Sequence, residues 1–303
     1  MTIITDFQRK IADLHPETEL RFNEPLAKHT SFRIGGPAEV MAFPKSRQEL
    51  SDLLKKYVIS DRIPAILGAG TNVLAPDEGV PGLVICLKDC LGGMEQLSDN
   101  RIWIAAGVTM TRAAVFAAGL GLGGMEFAHG IPGTVGGGAF MNAGAYGGQI
   151  SDICESVDVM SMDGTVTTYT AEEMRFSYRY SRLEDQPGIV LSAVFKLTRK
   201  PEAEIRCLMQ ELMARRRASQ PLELPSAGSA FKRPVGNYAG ALIEQTGLKG
   251  FRVGNAGISE KHAGFAVNLG GATAADVKEL LEQVSQRVYD RFAVRLEPEV
   301  RIW

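Results

Sequence analysis

The sequence predicts a mixed α+β protein, and three observations support this. Short apolar runs typical of strands are scattered among helical patterns, so the regular strand–helix–strand succession of a doubly wound sheet is missing. Asp163-Gly164 separates two strand-like segments, 156–162 and 165–169, which is the strongest hairpin signal in the chain. Glycine is concentrated in two stretches, at 68–70 and 126–148, where ordered loops are expected.

The first elements follow from the spacing of apolar residues. Residues 3–14 place apolar side chains on one helical face, and Ser46 with Glu49 three residues later is a capping box that predicts a second helix. Further expected elements are strands at 32–34, 40–43, 64–67, 83–87 and 102–105 and an alanine-rich helix over 111–120.

The second half of the chain follows the same rules. Thr273 is the predicted N-cap of a helix whose apolar stripe begins at Val277. The other expected elements are helices over 202–219 and 239–246 and strands over 189–197, 264–269, 294–296 and 299–302.

Composition limits the class of protein. A chain of 303 residues is long enough for two or three modest domains, and 45% hydrophobic with 22% charged residues is typical of a soluble globular protein. A net charge of −2 argues against nucleic acid as a partner. The most apolar run, 113–125, is too short to span a bilayer, and the N-terminus lacks a signal-peptide core, so a cytoplasmic protein is expected.

The four cysteines do not predict a metal site. Three residues separate Cys86 from Cys90, but no histidine lies nearby, and the other two cysteines are isolated. The simpler interpretation is that they are small buried hydrophobic residues in a reducing compartment.

The stretch 126–148 is the most unusual in the chain. Eight of its 23 residues are glycine, yet it also carries Pro132, Thr134, Asn142 and Tyr146. Glycine at this density disfavours both helix and strand, which predicts an ordered loop whose backbone approaches something closely. Converging backbone N–H groups bind anions, so a nucleotide phosphate is the expected ligand. The alternative is a tight crossing of chain segments with no ligand.

The strand predicted at 64–67 is followed by another glycine-rich loop, 68–74, which comes earlier in the chain and is called the first glycine loop; the stretch 126–148 is called the second. Gly68-Ala69-Gly70 resembles the start of a dinucleotide-binding turn, but no third glycine follows and 71–76 is a poor helix start. A plain tight turn is an equally good interpretation from the residues alone.

Six motifs in order resemble one family, the flavin-dependent UDP-N-acetylenolpyruvoylglucosamine reductases. The resemblance extends from about residue 29 to the end of the chain. The motifs are HTSFRIGG at 29–36, GAGTNVL at 68–74, GIPGTVGG at 130–137 with NAGAYG at 142–147, FSYRYS at 176–181, GSAFKRP at 228–234 and LEPEVR at 296–301.

The resemblance implies a two-lobed FAD-binding fold of the vanillyl-alcohol oxidase type, with lobes at 1–96 and 97–200, and an α+β substrate domain at 201–303. It also implies that FAD is held non-covalently, with both glycine loops at its pyrophosphate. The implied contacts are Gly68, Ala69, Gly70, Thr71, Asn72, Val73, Leu74, Gly130, Ile131, Pro132, Gly133, Thr134, Gly136, Gly137, Asn142, Gly144, Ala145 and Tyr146.

The implied reaction belongs to peptidoglycan precursor synthesis. NADPH reduces the flavin, and hydride then passes to the enol ether of UDP-N-acetylglucosamine enolpyruvate, giving UDP-N-acetylmuramate. By match to the family motifs, Arg179 supplies a guanidinium for the negative charge that develops beside the substrate carboxylate, Glu299 completes the electrostatic arrangement, and Ser229 protonates the adjacent carbon. Taken alone, the same residues suit a surface salt bridge, a turn and the solvent face of an edge strand.

Four further residues are expected to contact substrate: Lys232, Arg233, Lys261 and His262. Some family members have asparagine at the position of Arg233. The short span from Arg179 to Ser229 predicts the form of the enzyme that lacks a tyrosine-bearing substrate lid.

Two rival hypotheses keep the fold and change the chemistry. One is an oxygen-using oxidase with covalently bound flavin, for which His129 is the obvious attachment point. The other is a catalytically silent protein that binds FAD or another nucleotide.

Overall fold

Helices and strands alternate irregularly along the chain. The structure, a computed structural model, describes residues 4–57, 63–88 and 90–303. Within these residues the helices are α1 (Asp6–Leu14), α2 (Arg47–Tyr57), α3 (Met110–Gly119), α4 (Val135–Phe140), α5 (Glu202–Ser219), α6 (Ala239–Gln245) and α7 (Ala274–Phe292). The helix predicted over 3–14 therefore begins at Asp6, and residue 3 lies outside the described residues.

The strands are short. They are β1 (Glu19–Pro25), β2 (Pro37–Phe43), β3 (Ala65–Leu67), β4 (Val73–Leu74), β5 (Val80–Cys86), β6 (Met94–Ser98), β7 (Arg101–Ala105), β8 (Leu122–Gly123), β9 (Gly144–Ala145), β10 (Gly148–Gln149), β11 (Cys154–Ser161), β12 (Val166–Thr170), β13 (Gly188–Lys196), β14 (Thr198–Arg199), β15 (Ser226–Ser229), β16 (Arg252–Val253), β17 (Ala256–Ile258), β18 (Phe265–Asn268) and β19 (Arg301–Ile302).

The chain forms two compact units, each assembled from separate segments. Unit 1 contains the chain up to Phe22 together with Val40–Ala69 and Gly82–Arg215, and unit 2 contains Asn23–Glu39, Gly70–Pro81 and Arg216–Trp303. Each unit has its own buried apolar core. The division into 1–96, 97–200 and 201–303 stays a prediction.

Unit 1 contains an antiparallel sheet of five strands in the order β12-β11-β13-β7-β6. Its outer hairpin, β11 to β12, turns at Asp163-Gly164 as predicted, because Gly164 takes a φ of +84° and Asp163 Oδ1 accepts the backbone N–H of Thr165 at 2.8 Å. Another sheet has the order β1-β2-β5-β3, in which β3 runs parallel to β5.

Helix α2 begins where the capping-box pattern predicts, but only half of the box forms as predicted, because the Glu49 carboxylate bonds the residue before the cap and not Ser46 itself. Ser46 Oγ accepts the backbone N–H of Glu49 at 3.1 Å, and the Glu49 carboxylate in turn accepts the N–H of Lys45 at 2.7 Å. The predicted apolar stripe faces the unit 1 core and consists of Leu50, Leu53, Leu54 and Tyr57.

The stretch 126–148 contains a helix, so the prediction that it lacks helix and strand was wrong. Helix α4 starts at the N-cap Thr134, whose hydroxyl accepts the N–H of Gly137 at 3.4 Å. A Cβ added to Gly136 would lie 2.8 Å from Ala106 Cβ, and one added to Gly138 would lie 2.8 Å from Met110 Sδ. Because only glycine permits this close packing, tertiary contacts override the poor helix propensity of the sequence.

Unit 2 contains an antiparallel sheet in the order β15-β18-β17-β16, with α7 packed on β16, β17 and α6. Thr273 caps α7 as predicted: its hydroxyl accepts the N–H of Asp276 at 3.0 Å, and the Asp276 carboxylate accepts the N–H of Thr273 at 3.1 Å. The predicted buried face is also confirmed and consists of Val277, Leu280, Leu281, Val284 and Val288.

Two predicted strands are absent from the described part of the chain. At 32–34 a turn forms instead, because Arg33 takes a φ of +56° and Thr30 Oγ1 donates to the carbonyl oxygen of Ile34 at 3.0 Å. Residues 294–296 follow the left-handed C-cap Ala293 of α7 and stay irregular.

Three cysteines are buried as predicted, and Cys207 on α5 is exposed. Burial raises the pKa of both the Cys90 and the Cys154 thiol to about 12, so these two thiols stay protonated at neutral pH. None of the helices in the described ranges is long and apolar enough to cross a membrane.

Candidate active site

The first glycine loop ends in unit 2 against the HTSFRIGG motif. Gly70 takes a φ of +62°, and a Cβ added to it would lie 2.0 Å from the carbonyl oxygen of His29, so no other residue fits. The N–H of Ser31 donates to the Gly70 carbonyl oxygen at 2.9 Å. The motif at 29–36 therefore packs against this loop at Gly70 and holds its backbone conformation.

Ser31 is a site residue that the sequence analysis did not single out. Its hydroxyl donates to the carbonyl oxygen of Ser226 at 2.6 Å, at the start of the strand that carries Ser229. One side chain thus links the loop at Gly70 to that strand. Its place inside the HTSFRIGG motif was the available signal.

The rest of the first loop pairs with the end of the chain. Strand β4 runs parallel to β19, with the N–H of Arg301 donating to the carbonyl oxygen of Asn72 at 3.1 Å. The side-chain amide of Asn72 donates to the carbonyl oxygen of Glu299 at 3.2 Å. This loop therefore holds the backbone of a predicted catalytic residue.

Unit 2 brings two predicted catalytic residues, Ser229 and Glu299, onto adjacent segments. The N–H of Glu299 donates to the carbonyl oxygen of Ala230 at 2.9 Å, directly after Ser229. Before Ser229, Gly228 takes a φ of +80°, and no heavy atom lies within 4 Å of a Cβ built there. Ser229 itself pairs with Phe265 in β18, so the strand sets its position.

The second glycine loop lies in unit 1 and is fastened by its backbone. The N–H groups of Val135 and Gly136 donate to the carbonyl oxygens of Val108 at 2.8 Å and Ala106 at 2.9 Å. A Cβ built on Gly68 would lie 3.3 Å from Thr134 Oγ1. The start of the first glycine loop and the N-cap of α4 are therefore neighbours within this unit.

The continuation of this loop contains two left-handed residues that are not glycine, Asn142 at φ +43° and Tyr146 at φ +53°. Tyr146 is 43% exposed and lies at the turn between β9 and β10, whereas Asn142 is 1% exposed. A left-handed residue with a side chain costs roughly 1–2 kcal/mol, so the surrounding contacts must impose both conformations.

Arg179 occupies the tip of a tight turn in unit 1. Ser177 and Tyr180 exchange backbone hydrogen bonds at 3.1 and 3.2 Å, and Arg179 between them takes a φ of +54°. Its guanidinium donates through Nη2 to the carbonyl oxygen of Gly144 at 3.3 Å. The structure thus brings Arg179 to the second glycine loop.

The exposed Tyr180 hydroxyl donates to Asp185, and that bond raises the pKa of Tyr180.

The four predicted substrate contacts all make interactions inside unit 2. Lys232 Nζ lies 2.7 Å from Glu297 Oε1, and the Arg233 guanidinium stacks on the Tyr238 ring at 4.5 Å. Lys261 Nζ donates to the carbonyl oxygen of Arg217 at 2.8 Å, and His262 Nδ1 accepts the N–H of Gly264 at 3.0 Å. Burial lowers the pKa of His262, so this imidazole is neutral at pH 7.

Among the residues that the structure describes, no three His, Cys, Asp or Glu side chains are grouped so that they could hold a metal ion.

Comparisons with known proteins match both parts of the chain. Residues 38–170 match a family model described as an FAD binding domain, and residues 220–303 match one described as the C-terminal domain of UDP-N-acetylenolpyruvoylglucosamine reductase. Similar curated proteins carry that enzyme's name. One from Caldanaerobacter subterraneus subsp. tengcongensis is 45% identical over 97% of this chain and 96% of its own, and one from Agathobacter rectalis is 44% identical over 98% of both.

Solved structures agree. The UDP-N-acetylenolpyruvylglucosamine reductase of Thermus caldophilus is similar with a TM-score of 0.77 and 37% identity, over 95% of this chain and 99% of that one. An alkyldihydroxyacetonephosphate synthase shares the fold with a TM-score of 0.50 and 15% identity, over 66% of this chain and 42% of its own. The predicted fold, a two-lobed FAD-binding fold with a C-terminal α+β domain, is confirmed.

Proposed function

The chain belongs to the UDP-N-acetylenolpyruvoylglucosamine reductase family, and from this premise we propose that it reduces UDP-N-acetylglucosamine enolpyruvate to UDP-N-acetylmuramate with electrons from NADPH. The observation that carries the proposal is the pairing of two motif residues within unit 2. Glu299 is hydrogen-bonded through its backbone N–H to Ala230, the residue after Ser229.

The residues present fit an FAD pyrophosphate. Gly68 lies against the Thr134 hydroxyl, and Gly70 has no room for a Cβ beside the carbonyl oxygen of His29. Loops of this kind let backbone N–H groups reach an anion closely, and the hydroxyls of Thr71 and Thr134 can add hydrogen bonds. The predicted cofactor contacts in both glycine loops would hold FAD non-covalently. When bound, FAD supplies the hydride for the reduction.

Ser229 is proposed to protonate the substrate carbon beside the carboxylate. A serine hydroxyl is a weak acid, but a carbanion adjacent to a carboxylate is a far stronger base than water, so the transfer runs downhill. Ser229 is half-buried, and its pairing with Phe265 holds its backbone in strand β15.

Arg179 and Glu299 are proposed to set the electrostatic environment of that carbon. Negative charge spreads from the carbanion into the carboxylate, and a fixed guanidinium stabilises it more than mobile water does. The left-handed turn at Arg179 is consistent with such a role, since strained backbone at a non-glycine residue is found where function requires it. Glu299 completes the arrangement from its place beside Ser229.

The wider setting follows from the same reaction. The substrate is a small UDP-sugar and the product is a peptidoglycan precursor, so the enzyme serves cell-wall synthesis and with it cell shape and division. A cytoplasmic location, where NADPH and nucleotide sugars are available, is proposed. The predicted absence of a tyrosine-bearing lid is likewise part of the proposal.

Stopped-flow absorbance of the flavin tests this proposal. Under anaerobic conditions NADPH should bleach the flavin, and the enolpyruvyl substrate should then restore its colour. Ser229→Ala should slow the second step roughly 10²- to 10⁴-fold and leave the first unchanged. A reduced flavin that the substrate does not reoxidise would sink the assignment. Flavin left on acid-precipitated protein would instead favour a covalent oxidase attached through His129.

A further inference from the structure

The turn that presents Arg179 is fastened to one short segment, 140–144, at three points. Asn142 Nδ2 donates to the carbonyl oxygen of Ser177 at 2.9 Å, where the turn begins. Ser181 Oγ donates to the carbonyl oxygen of Phe140 at 2.7 Å, where it ends. The third contact is that of the Arg179 guanidinium with Gly144. The position of Arg179 therefore depends on the segment 140–144.

Asn142 is the centre of this attachment. Besides its bond to Ser177, its Oδ1 accepts the N–H of Ser151 at 2.9 Å, and Nδ2 lies 3.4 Å from Gln149 Oε1. One partner must accept and the other must donate, so the amide can face only one way. With 1% of its surface exposed, Asn142 directs this amide at protein groups.

The backbone of Asn142 suits the same task. Its φ of +43° lies in the left-handed region, which asparagine tolerates better than other side chains. This conformation turns the chain from α4 into β9. As a result the Asn142 side chain reaches the carbonyl oxygen of Ser177, and two residues later the Gly144 carbonyl oxygen reaches the Arg179 guanidinium. An alanine or leucine at 142 would strain this conformation and lose the donor.

We propose that Asn142 is a positioning residue for Arg179: its amide holds the 177–180 turn so that the guanidinium is fixed before substrate arrives. The proposal rests on the proposed function, because it requires that Arg179 act on the substrate. It gives the Asn142 side chain a role through Arg179, in addition to the cofactor contact that the family motif implies for this residue.

Asn142→Asp is the sharpest probe. Aspartate has nearly the same shape, tolerates the left-handed conformation and keeps an acceptor for Ser151, but it sets a carboxylate oxygen against the carbonyl oxygen of Ser177. Asn142→Gly keeps the backbone conformation and removes all the side-chain bonds, so it serves if the aspartate variant does not fold. Ser181→Ala removes the other attachment of the turn and leaves Asn142 intact.

The experiment combines Asn142→Asp with Arg179→Ala in a double-mutant cycle on the FAD-loaded enzyme. Flavin content, the rate of flavin reduction by NADPH, the rate of reoxidation by the enolpyruvyl substrate and calorimetric binding of that substrate are measured. Asn142→Asp alone should slow reoxidation about 10- to 100-fold per bound flavin, a loss much larger than any accompanying loss of flavin content or of the rate of flavin reduction. In the Arg179→Ala background, the same change should have no further effect.

Three results would overturn the proposal, and they differ from one another. If the two substitutions multiply, Asn142 acts independently of Arg179. If Asn142→Asp loses flavin in proportion to activity, Asn142 supports the cofactor. If Arg179→Ala reoxidises at the wild-type rate, the role proposed for Arg179 fails and the positioning role fails with it, whereas the Ser229→Ala result still stands as the test of the overall reaction.

Discussion

The side-chain amide of Asn72 donates a hydrogen bond to the backbone carbonyl oxygen of Glu299, across 227 positions of sequence. Asn72 belongs to the first glycine loop and Glu299 to the segment beside Ser229, so the loop and the proposed catalytic segment are one connected structure within unit 2. A substitution that changes the conformation of one segment is therefore expected to displace the other.

Asn72→Ala should slow substrate-dependent reoxidation of the flavin about 2- to 10-fold, because one hydrogen bond contributes about 0.5–1.5 kcal/mol. Stopped-flow absorbance measures the rate, and flavin content measured on the same preparation is the control. A wild-type rate, or a fall in rate that equals the fall in flavin content, would contradict a role in holding Glu299.

Lys232→Met should raise KM for the enolpyruvyl substrate if Lys232 binds its phosphates, with little change in thermal stability. The ion pair with Glu297 is largely exposed, and such pairs contribute only about 0–1 kcal/mol. Glu297→Gln is the matched control, since it removes the same ion pair and leaves the ammonium group in place. Steady-state kinetics decides: equal KM values in the two variants would show that Lys232 has no part in binding.

Gly136→Ala should destabilise the protein by about 1–3 kcal/mol, because the new methyl group would lie 2.8 Å from Ala106 Cβ in a packed core. Gly119→Ala in α3 is the control: no heavy atom lies within 4 Å of its Cβ, so the change should be neutral or slightly stabilising. Calorimetric unfolding of both variants makes the comparison. An unchanged transition for Gly136→Ala would mean that α4 can move away from Ala106 at little cost.

His262 should make stability depend on pH near neutrality. Burial has the largest effect and lowers the pKa of His262 below its usual 6.5; a backbone hydrogen bond at His262 opposes it, and the nearby charges of Lys249 and Glu244 have smaller effects of opposite sign. The neutral form is therefore favoured by folding. Its contribution is complete above pH 6.5 and is lost as pH falls through the lowered pKa of the folded state.

His262→Asn keeps a side chain that can accept the N–H of Gly264 and removes the titration. Urea unfolding between pH 8 and pH 5 should therefore show a smaller loss of stability in the variant than in the wild type. His15, whose pKa is also lowered by burial, is present in both proteins and cancels from the difference. Parallel curves for the two proteins would assign the pH dependence to other groups.

Patterns that depend on near neighbours could be predicted from the sequence. The Thr273 cap, the buried stripe of α7 beginning at Val277 and the Asp163-Gly164 turn all follow from residues within a few positions of one another. Helix α4 could not be predicted this way. Its three consecutive glycines oppose helix formation, and what stabilises them is contact with Ala106 and Met110, which lie about 30 positions earlier in the chain.

The site shows the same limit. The family motifs pointed to Asn72 and Asn142 as cofactor contacts, and these assignments stay predictions. The structure adds what no motif could show, that both amides also bind carbonyl oxygens far away in sequence, at Glu299 and Ser177. Partners 227 and 35 positions apart leave no local pattern, so only the folded chain reveals them.

The segmented construction of unit 2 has a consequence for how the protein is made. Its core joins Phe32, Ile34 and Leu74 to side chains that follow position 226, such as Ile243 and Leu280. A ribosome must therefore translate most of the message before these three early apolar residues find their native neighbours. Until then the nascent chain carries them without their core, and apolar side chains exposed in this way favour aggregation.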